Sequence, residues 1–457
     1  MQKEKGLKNN PALFSFGELG LQFGWTFLGT YLSVFYTDIV GLAPIAVTVI
    51  MLVARIWDAI NDPMMGIIAE RTRSRWGRFR PYIGFVTPIL GVFIILCFTN
   101  PFAAGSNGAR VTWACITYII AGMLYTAVCV PYGALPSVLS QNANVRNQLN
   151  AARSFGQNAG MIIINACSAG IMLFFSGGSD VPTLNGYFMT AVIYVIIMLP
   201  MLLICFFSTK EHVMPSREES HTPVKVTLKL VLSNKYLMVV FGIMALYMTA
   251  YMGRISVMAF YCIYCLNDFA LIATLMTIPS VFGAIVSFFI PALSRWIGKR
   301  NVFLFSVLVQ TAALLVVFFT PYENTQVIII AHVVFGIFNM GFAPSLSMVS
   351  DAVDYQDLRS GIRTDATAFA TYNLSVKLGN ALGGGVFVLI MGLFGYVANQ
   401  AQTETAMFGI NLVVNLIPAI LFLLAGLVSL LWRMSDKEAD SIRAQIQDRN
   451  QRAGIQQ

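Results

Sequence analysis

The chain has 457 residues, of which 57% are hydrophobic and only 11% are charged, and its mean hydropathy is +0.71. Soluble domains carry about 25% charged residues, so these values exclude a water-soluble globular fold and predict a polytopic membrane protein. At about 20 residues per span, the length accommodates roughly a dozen helices. The first residues, MQKEKGLKNN, contain no apolar core followed by a small-residue cleavage site, so we expect no cleaved signal peptide.

The net charge of +8 is concentrated in alternate connections between apolar runs, which argues against nucleic acid as a partner. Lys and Arg crowd the N-terminus, the stretch RTRSRWGRFR, residues 210–235, residues 295–300 and the tail after Arg433. The intervening connections contain almost none, with Arg110 as the exception. Such alternation is the positive-inside pattern. It predicts cytoplasmic termini and an even number of spans in a bacterial-type inner membrane.

Twelve apolar runs predict twelve transmembrane helices. They are centred near residues 24, 56, 90, 123, 164, 196, 245, 280, 311, 338, 377 and 419. The polar stretch STKEHVMPSREESHTPVKVT divides them six and six, which predicts an N-terminal half at 1–208, a cytoplasmic linker at 209–228 and a C-terminal half at 229–457. The halves share RSRWGRFR with LSRWIGKR and YGALPSVLS with GFAPSLSMVS. This duplication predicts the all-α major facilitator fold of two pseudo-symmetric six-helix halves.

The second run contains charges where a membrane helix is expected to have none. Within RIWDAINDPMMG, Asp58 and Asp62 lie four residues apart and share a helix face, with Asn61 beside them and Arg55 one turn earlier. Ionisable residues at this depth are costly and usually mark an ion path. Arg55 neutralises one carboxylate, and the other requires Na⁺, Li⁺ or a proton to compensate its charge. The alternative is a packing cluster of ion pairs that transports no ion.

The stretch ERTRSRWGRFRPY follows at once and predicts a gate latch. Its charged side chains can pair with acids in SDAVDYQDLRSGIRTD from the other half, and these pairs would break as the transporter opens inward. The alternative is a solvated basic loop that fixes membrane orientation. Residues assigned to the gate are Arg55, Glu70, Arg75, Arg78, Asp351 and Asp354.

RIWDAINDP together with TRSRWGRFRPY resembles the signature of the glycoside–pentoside–hexuronide:cation symporters, which include the melibiose and glucuronide carriers. The resemblance runs the length of the chain and includes FYTDIVGL, VPYGALPS, AVDYQDLRSGIR and GYVANQAQT. It implies a symporter, with no enzymatic activity and no organic cofactor. It also implies a monomer in the lipid bilayer whose partners are a small glycoside and a monovalent cation.

Carried over by position, the resemblance implies a cation site at Asp58, Asn61 and Asp62 that Thr126 completes, with Na⁺ possible between the two aspartates. Sugar contacts are implied for Arg153 and Lys377, and Tyr125 and Phe342 would offer aromatic faces to a sugar ring. Gln22 and Arg254 are further predicted substrate contacts.

Two departures from melibiose-type carriers bear on the substrate. Gln22 and Cys129 stand where those carriers have aspartates, which disfavours melibiose and weakens the case for Na⁺ relative to H⁺. Losing two acids while keeping Arg153, Lys377 and Arg254 predicts a net positive cavity, suited to a hexuronide or β-glucuronide. Neutral pentosides or plant-glycan oligosaccharides are the alternative, and Arg254 has a plain packing interpretation.

Three further functional classes are a lysolipid carrier, a membrane enzyme and a non-transporting sensor. A lysolipid carrier on the same scaffold accounts for the richness in Phe and Met, but lipid-facing apolar surface accounts for it equally well. A membrane enzyme or a non-transporting sensor is disfavoured because HExxH, GxSxG and a nucleotide-binding glycine loop are absent from the sequence.

Overall fold

The computed structural model describes residues 10–139, 143–179, 181–211, 232–361 and 365–452, and throughout these ranges the ordered elements are helices. Four five-residue π-helical segments are Phe35–Ile39, Tyr82–Val86, Tyr261–Cys265 and Leu412–Leu416. The α-helices are α1 Pro11–Val34, α2 Pro44–Arg71, α3 Thr87–Cys97, α4 Asn107–Leu139, α5 Ala143–Phe174, α6 Leu184–Ser208, α7 Lys235–Phe260, α8 Leu271–Ser287, α9 Ile290–Ile297, α10 Lys299–Phe319, α11 Thr325–Ile337, α12 Phe342–Ser360, α13 Asp365–Leu393, α14 Glu404–Asn411, α15 Ile417–Ser429 and α16 Asp436–Arg452.

Local sequence sets several helix ends. Asn10 caps α1 by accepting from the backbone N–H of Ala12 at 2.9 Å, and Pro11 occupies the first helical position, where its missing N–H costs nothing. Gly361 ends α12 at its C-terminus, where it adopts the left-handed conformation with φ of 70°.

The run centred near residue 338 is two helices rather than one, because the chain breaks between α11 and α12. The Ser306 hydroxyl satisfies backbone groups freed at this break. It donates to Phe338 O at 2.5 Å and accepts from Met340 N–H at 3.3 Å. Broken helices are tolerated at membrane depth when side chains re-satisfy the backbone in this way.

Nine helical segments in the described part of the chain are long and apolar enough to cross a membrane. They are Pro44–Gly66, Asn107–Pro136, Gln148–Phe174, Leu184–Ser208, Lys235–Cys265, Lys299–Phe319, Thr325–Ser360, Thr367–Leu393 and Glu404–Ser429. Tyr82–Cys97 and Leu271–Ser287 are apolar but shorter.

The chain divides into two compact units, each assembled from separate stretches. The first comprises Met1–Arg217, Ile255–Ser280 and Gly384–Ile410, and the second comprises Glu218–Arg254, Val281–Gly383 and Asn411–Gln457. In the first, α1 packs against α5 and α6, and α2 packs against α4. In the second, α10 packs against α15, and α16 packs against α12. The predicted linker 209–228 lies outside the described residues beyond Glu211, and the half boundaries stay predictions.

Candidate functional site

The polar residues of α2 form one patch on an otherwise apolar helix. Nη1 of Arg55 lies 3.5 Å from Oδ2 of Asp58, one turn along the helix, and both side chains are partly buried. Asn61 is buried, and its Nδ2 atom donates to no residue in the described ranges. Because these positions are three or four residues apart, they lie on neighbouring parts of one face.

Thr126 on α4 joins the patch from a second helix. Its Oγ1 donates a hydrogen bond to Oδ1 of Asp62 at 2.8 Å. Gly122, one turn earlier on α4, allows the carboxylate of Asp58 to approach α4 closely, since a Cβ there would lie 3.0 Å from Oδ1 of Asp58. The structure therefore brings Asp62 and Thr126 into contact, as the sequence predicted, while their role in cation binding stays a prediction.

The chemistry of this patch suits a hard monovalent cation. It offers two carboxylates, an amide and a hydroxyl, the oxygen-rich set that hard cations prefer to nitrogen or sulfur ligands. Arg55, Asp58 and Asp62 sum to a formal charge of −1, so one Na⁺, Li⁺ or proton would neutralise them. Among the described residues, no group of three or more His, Cys, Asp and Glu could hold a metal ion.

An aromatic pair adjoins the patch. Trp25 stacks on Tyr125 with ring centroids 4.0 Å apart and planes 12° apart. The guanidinium carbon of Arg55 lies 5.2 Å from the Trp25 centroid, a cation–π contact. Trp25 was not predicted, although its position three residues after Gln22 on α1 was an available signal. Arg55 thus connects the predicted cation site to Tyr125, a predicted sugar contact.

Arg153 on α5 forms an ion pair that the sequence analysis did not assign. Its Nε lies 2.8 Å from Oε2 of Glu18, and the Arg153 side chain is 33% exposed while that of Glu18 is 3% exposed. Glu18 therefore compensates the positive charge of Arg153, a partner that the prediction of a net positive cavity left out, and that cavity stays a prediction. The pair is 135 positions apart in sequence.

Gln22 is engaged within α1 and is buried. Its Nε2 donates to Oε1 of Glu18 at 3.0 Å, and its Oε1 accepts from Oγ1 of Thr26 at 2.8 Å. Both ends of the amide are therefore occupied by neighbours one turn away. In this arrangement Gln22 orients the Glu18 carboxylate.

Arg254 on α7 is also buried, beside His332 of α11. Its Nη2 contacts Nε2 of His332, and its guanidinium carbon lies 4.8 Å from the Phe335 centroid. Nδ1 of His332 lies 2.7 Å from the Ile328 carbonyl, so it carries the proton and Nε2 accepts from Arg254. These contacts lie within the second unit, and the role of Arg254 in substrate binding stays a prediction.

The remaining predicted sugar residues belong to the second unit. Lys377 is partly buried on α13. Phe342 begins α12, is 47% exposed, and packs edge-on against Tyr372 with centroids 6.0 Å apart. The exposed ring leaves a face on which a sugar could stack.

The basic stretch before α3 is organised by Glu211, which the sequence analysis did not single out. The carboxylate of Glu211 accepts backbone N–H groups of Arg78, Phe79 and Arg80 at 2.7, 2.8 and 3.0 Å. Gly77, with φ of 110°, is required here because a Cβ would lie 2.6 Å from the same carboxylate.

Of the other gate residues in this stretch, Arg75 lies over the Trp76 ring at 5.2 Å. The side chain of Glu70 lies outside the described residues.

The predicted gate acids on α12 are held by basic residues of their own unit. Asp351 accepts from Lys299 and from Arg443 of α16, and Asp354 accepts from Arg443 at 3.3 Å. Asp357 accepts from Arg449 of α16 at 2.7 Å. Their pairing with the basic stretch before α3 stays a prediction.

A second polar cluster in the first unit was not predicted. Asp38, in the π-helical segment after α1, accepts hydrogen bonds from Tyr264 at 2.6 Å and from Tyr396, while Asn399 donates to its backbone carbonyl. Burial, together with the adjacent Asp38 charge, raises the pKa of Tyr396 well above its usual value, so its phenol stays a donor. The cluster thus connects the segment after α1 with Tyr264 and with residues 396–399.

Comparison with known proteins gives a consistent result. The sequence matches the family described as MFS/sugar transport protein over residues 13–436. It is 31% identical to the isoprimeverose transporter of Lactiplantibacillus pentosus, over 96% of this chain and 91% of that one. It is 28% identical to a glucuronide carrier protein homolog of Escherichia coli (strain K12), over 95% and 94%. The fold is similar to a bacterial homolog of the human lysosomal transporter Spinster, with a TM-score of 0.69, 13% identity and coverage of 93% and 97%.

Proposed function

We propose, from the premise that this chain belongs to the MFS/sugar transport protein family, that it imports a glycoside together with a monovalent cation by alternating access. Relatives named as a glucuronide carrier homolog and as a putative glycoside/cation symporter support its assignment to the glycoside–pentoside–hexuronide:cation symporters. The protein is a multi-pass transporter of the bacterial inner membrane and not an enzyme.

The contact between Thr126 and Asp62 is the observation that carries the cation half of this proposal. It makes α4 part of an oxygen-rich patch whose charged members sum to −1. A cation bound there would remove that charge and favour the state that binds sugar. By linkage, the sugar must then raise cation affinity by the same factor.

For the substrate we propose a hexuronide or β-glucuronide. Nε of Arg153 contacts Glu18, while its Nη1 and Nη2 donate to no acceptor among the residues that the structure describes. That free edge of the guanidinium matches a carboxylate in bidentate geometry. Arg153 is also partly exposed, as a substrate contact requires.

A neutral pentoside or plant-glycan oligosaccharide is the second candidate. The Glu18–Arg153 pair is neutral overall and could bind sugar hydroxyls, and the similarity to an isoprimeverose transporter favours this class. A lysolipid substrate remains the third.

For the architecture we propose twelve spans in two six-helix halves. The count adds α1, Tyr82–Cys97 and Leu271–Ser287 to the nine long apolar segments. Cytoplasmic termini follow from the charge pattern of the connections. We further propose a monomer that needs no organic cofactor, with Arg55, Glu70, Arg75, Arg78, Asp351 and Asp354 acting in the inward gate.

Uptake into proteoliposomes tests the proposal. Purified protein would be given radiolabelled methyl β-D-glucuronide, methyl β-D-glucoside, isoprimeverose or a lysophospholipid, under an inward Na⁺ gradient, an inward proton gradient or neither. We expect a glycoside to accumulate above equilibrium under one gradient. Accumulation of the lysophospholipid alone, or of no compound under any gradient, would contradict the proposal. The compound and gradient that drive accumulation identify the substrate class and the coupling ion.

A further inference from the structure

Glu18 is the most deeply buried carboxylate beside the predicted sugar contacts, and it accepts hydrogen bonds from two directions. Oε2 faces Nε of Arg153 at 2.8 Å, and Oε1 faces Nε2 of Gln22 at 3.0 Å. Its side chain is only 3% exposed. One cation and one neutral donor therefore hold this buried carboxylate in place.

The Arg153 guanidinium is occupied on one edge and open on the other. A carboxylate bound to Nη1 and Nη2 would put a second negative charge on a guanidinium that Glu18 already neutralises. Two carboxylates sharing one cation raise each other's affinity for a proton. The buried partner is the one that takes the proton, because desolvation disfavours its charged form.

We propose that Glu18 is the group that binds a proton when a carboxylate-bearing glycoside occupies Arg153. The inference rests on the proposed function and adds a charge-compensating proton to it. Glu18–COO⁻ takes one H⁺ from water as the substrate carboxylate pairs with Arg153, so binding of the anion adds no net charge. The patch at Asp58 and Asp62 remains available for a coupling cation.

The hydrogen bonds along α1 can reverse to accept this proton. A protonated Glu18 must donate, and an amide can turn over to present its oxygen. Gln22 would then accept from Glu18 through its oxygen and donate through its nitrogen to Thr26. Thr26 can donate in turn to the carbonyl one helical turn earlier. The present distances of 3.0 and 2.8 Å fit either direction.

Apart from Arg153, the titratable groups that face Glu18 among the described residues are tyrosines and cysteines, which are neutral at physiological pH. Tyr125, Cys129 and Tyr132 face it from α4, and Cys205 of α6 lies against the adjacent Gly17. Arg153, from α5, is the charged one among these neighbours. The proton affinity of Glu18 therefore depends chiefly on what occupies Arg153.

Proton uptake on binding provides the test. Detergent-purified protein in weakly buffered solution at pH 7 would be mixed with methyl β-D-glucuronide, and the pH change followed with an indicator dye. We expect uptake approaching about one proton per glucuronide bound, and none with methyl β-D-glucoside. Glucuronide affinity should weaken up to about tenfold per pH unit as the pH rises, because the bound state holds the extra proton.

Two variants locate the acceptor. Glu18→Gln should bind glucuronide with no proton uptake and with an affinity independent of pH. Asp38→Asn, which removes a partly buried carboxylate of the first unit outside the proposed sites and leaves Glu18 intact, should keep the proton uptake. Should Glu18→Gln fail to fold, Gln22→Leu serves instead, because without the amide the protonated acid loses its acceptor and proton uptake should fall.

The outcomes separate this inference from the proposed function. Glucuronide binding without proton uptake, or uptake that persists in Glu18→Gln, overturns the inference alone. Binding of methyl β-D-glucoside with no binding of the glucuronide overturns the uronide class and the inference with it. Transport of the glucoside would then still support glycoside symport.

Discussion

Two acidic clusters on membrane helices differ in how they are neutralised. On α12, Asp351 contacts Lys299 and Arg443, and Asp357 contacts Arg449 at 2.7 Å. On α2, Asp58 has its arginine at 3.5 Å, and the hydrogen bond to Asp62 comes from the neutral hydroxyl of Thr126.

The partners differ in kind as well as in distance. Those on α12 include two arginines from α16, a helix that packs against α12 and fixes them there. On α2, Arg55 belongs to the same helix as Asp58 and lies three residues from it. Carboxylates that arginines of a second helix hold in place serve structure, whereas carboxylates at membrane depth that contact an arginine of their own helix and a neutral hydroxyl suit an exchangeable ion. Substitutions on α2, α4 and α12 test this contrast.

Asp62→Asn should abolish cation-driven accumulation, because it removes a charged ligand while keeping side-chain size. The measurement is glycoside uptake into proteoliposomes with and without the driving gradient. Asp440→Asn on α16 changes an exposed carboxylate outside the proposed cation site and gate, and this control should keep gradient-driven uptake. Concentrative uptake surviving in Asp62→Asn would remove this residue from the cation site.

Asp351→Ala should lower the free energy of unfolding by about 2 kcal/mol, since it removes a buried carboxylate that pairs with the partly buried Lys299 and the exposed Arg443. The decrease would appear as a lower thermal unfolding midpoint of the purified protein. Cation affinity of the variant that remains folded should be unchanged. A midpoint equal to wild type would show that the α12 cluster contributes little to stability.

Thr126→Val should weaken cation affinity about tenfold, equivalent to about 1.4 kcal/mol, because the bond to Asp62 is lost at constant side-chain volume. Thr126→Ser keeps the hydroxyl and should stay close to wild type. Cation titrations of thermal stability measure both variants. Equal affinity in Thr126→Val and wild type would exclude the hydroxyl from the site.

Gly122→Ala should have the smallest effect, a loss of cation affinity of about threefold, or roughly 0.6 kcal/mol. The added Cβ would lie 3.0 Å from Oδ1 of Asp58, so the carboxylate must shift by a few tenths of an ångström. Gly66→Ala on α2 is the control, because its Cβ would meet no atom within 4 Å. A larger loss of cation affinity in Gly66→Ala than in Gly122→Ala would contradict the close approach of Gly122 to Asp58.

Residues close together in sequence were predictable from periodicity. The shared face of Asp58 and Asp62 follows from helical spacing, and most of the helices follow from apolar runs. The partnership of Thr126 with Asp62 came from the family resemblance rather than from spacing.

Contacts between helices were harder to predict, because a helix that is apolar on most faces gives no signal for its rotation. Glu18 is therefore visible in the sequence, but its pairing with Arg153 is not. The contacts of Glu211 could not be predicted either. Its carboxylate accepts from backbone N–H groups, so the side chains of the residues that it binds give no signal in the sequence.

The cluster around Asp38 has a consequence for biogenesis. Asn399, which donates to the Asp38 carbonyl, follows it by 361 positions. At a synthesis rate of about 5–20 residues per second, roughly 20 to 70 s separate the two on the ribosome. During that interval Asp38 has neither Tyr396 nor Asn399 to bind, although its helix has already been made. Nascent chains stalled before residue 396 should therefore depend on the insertion machinery or a chaperone to cover this end of α1.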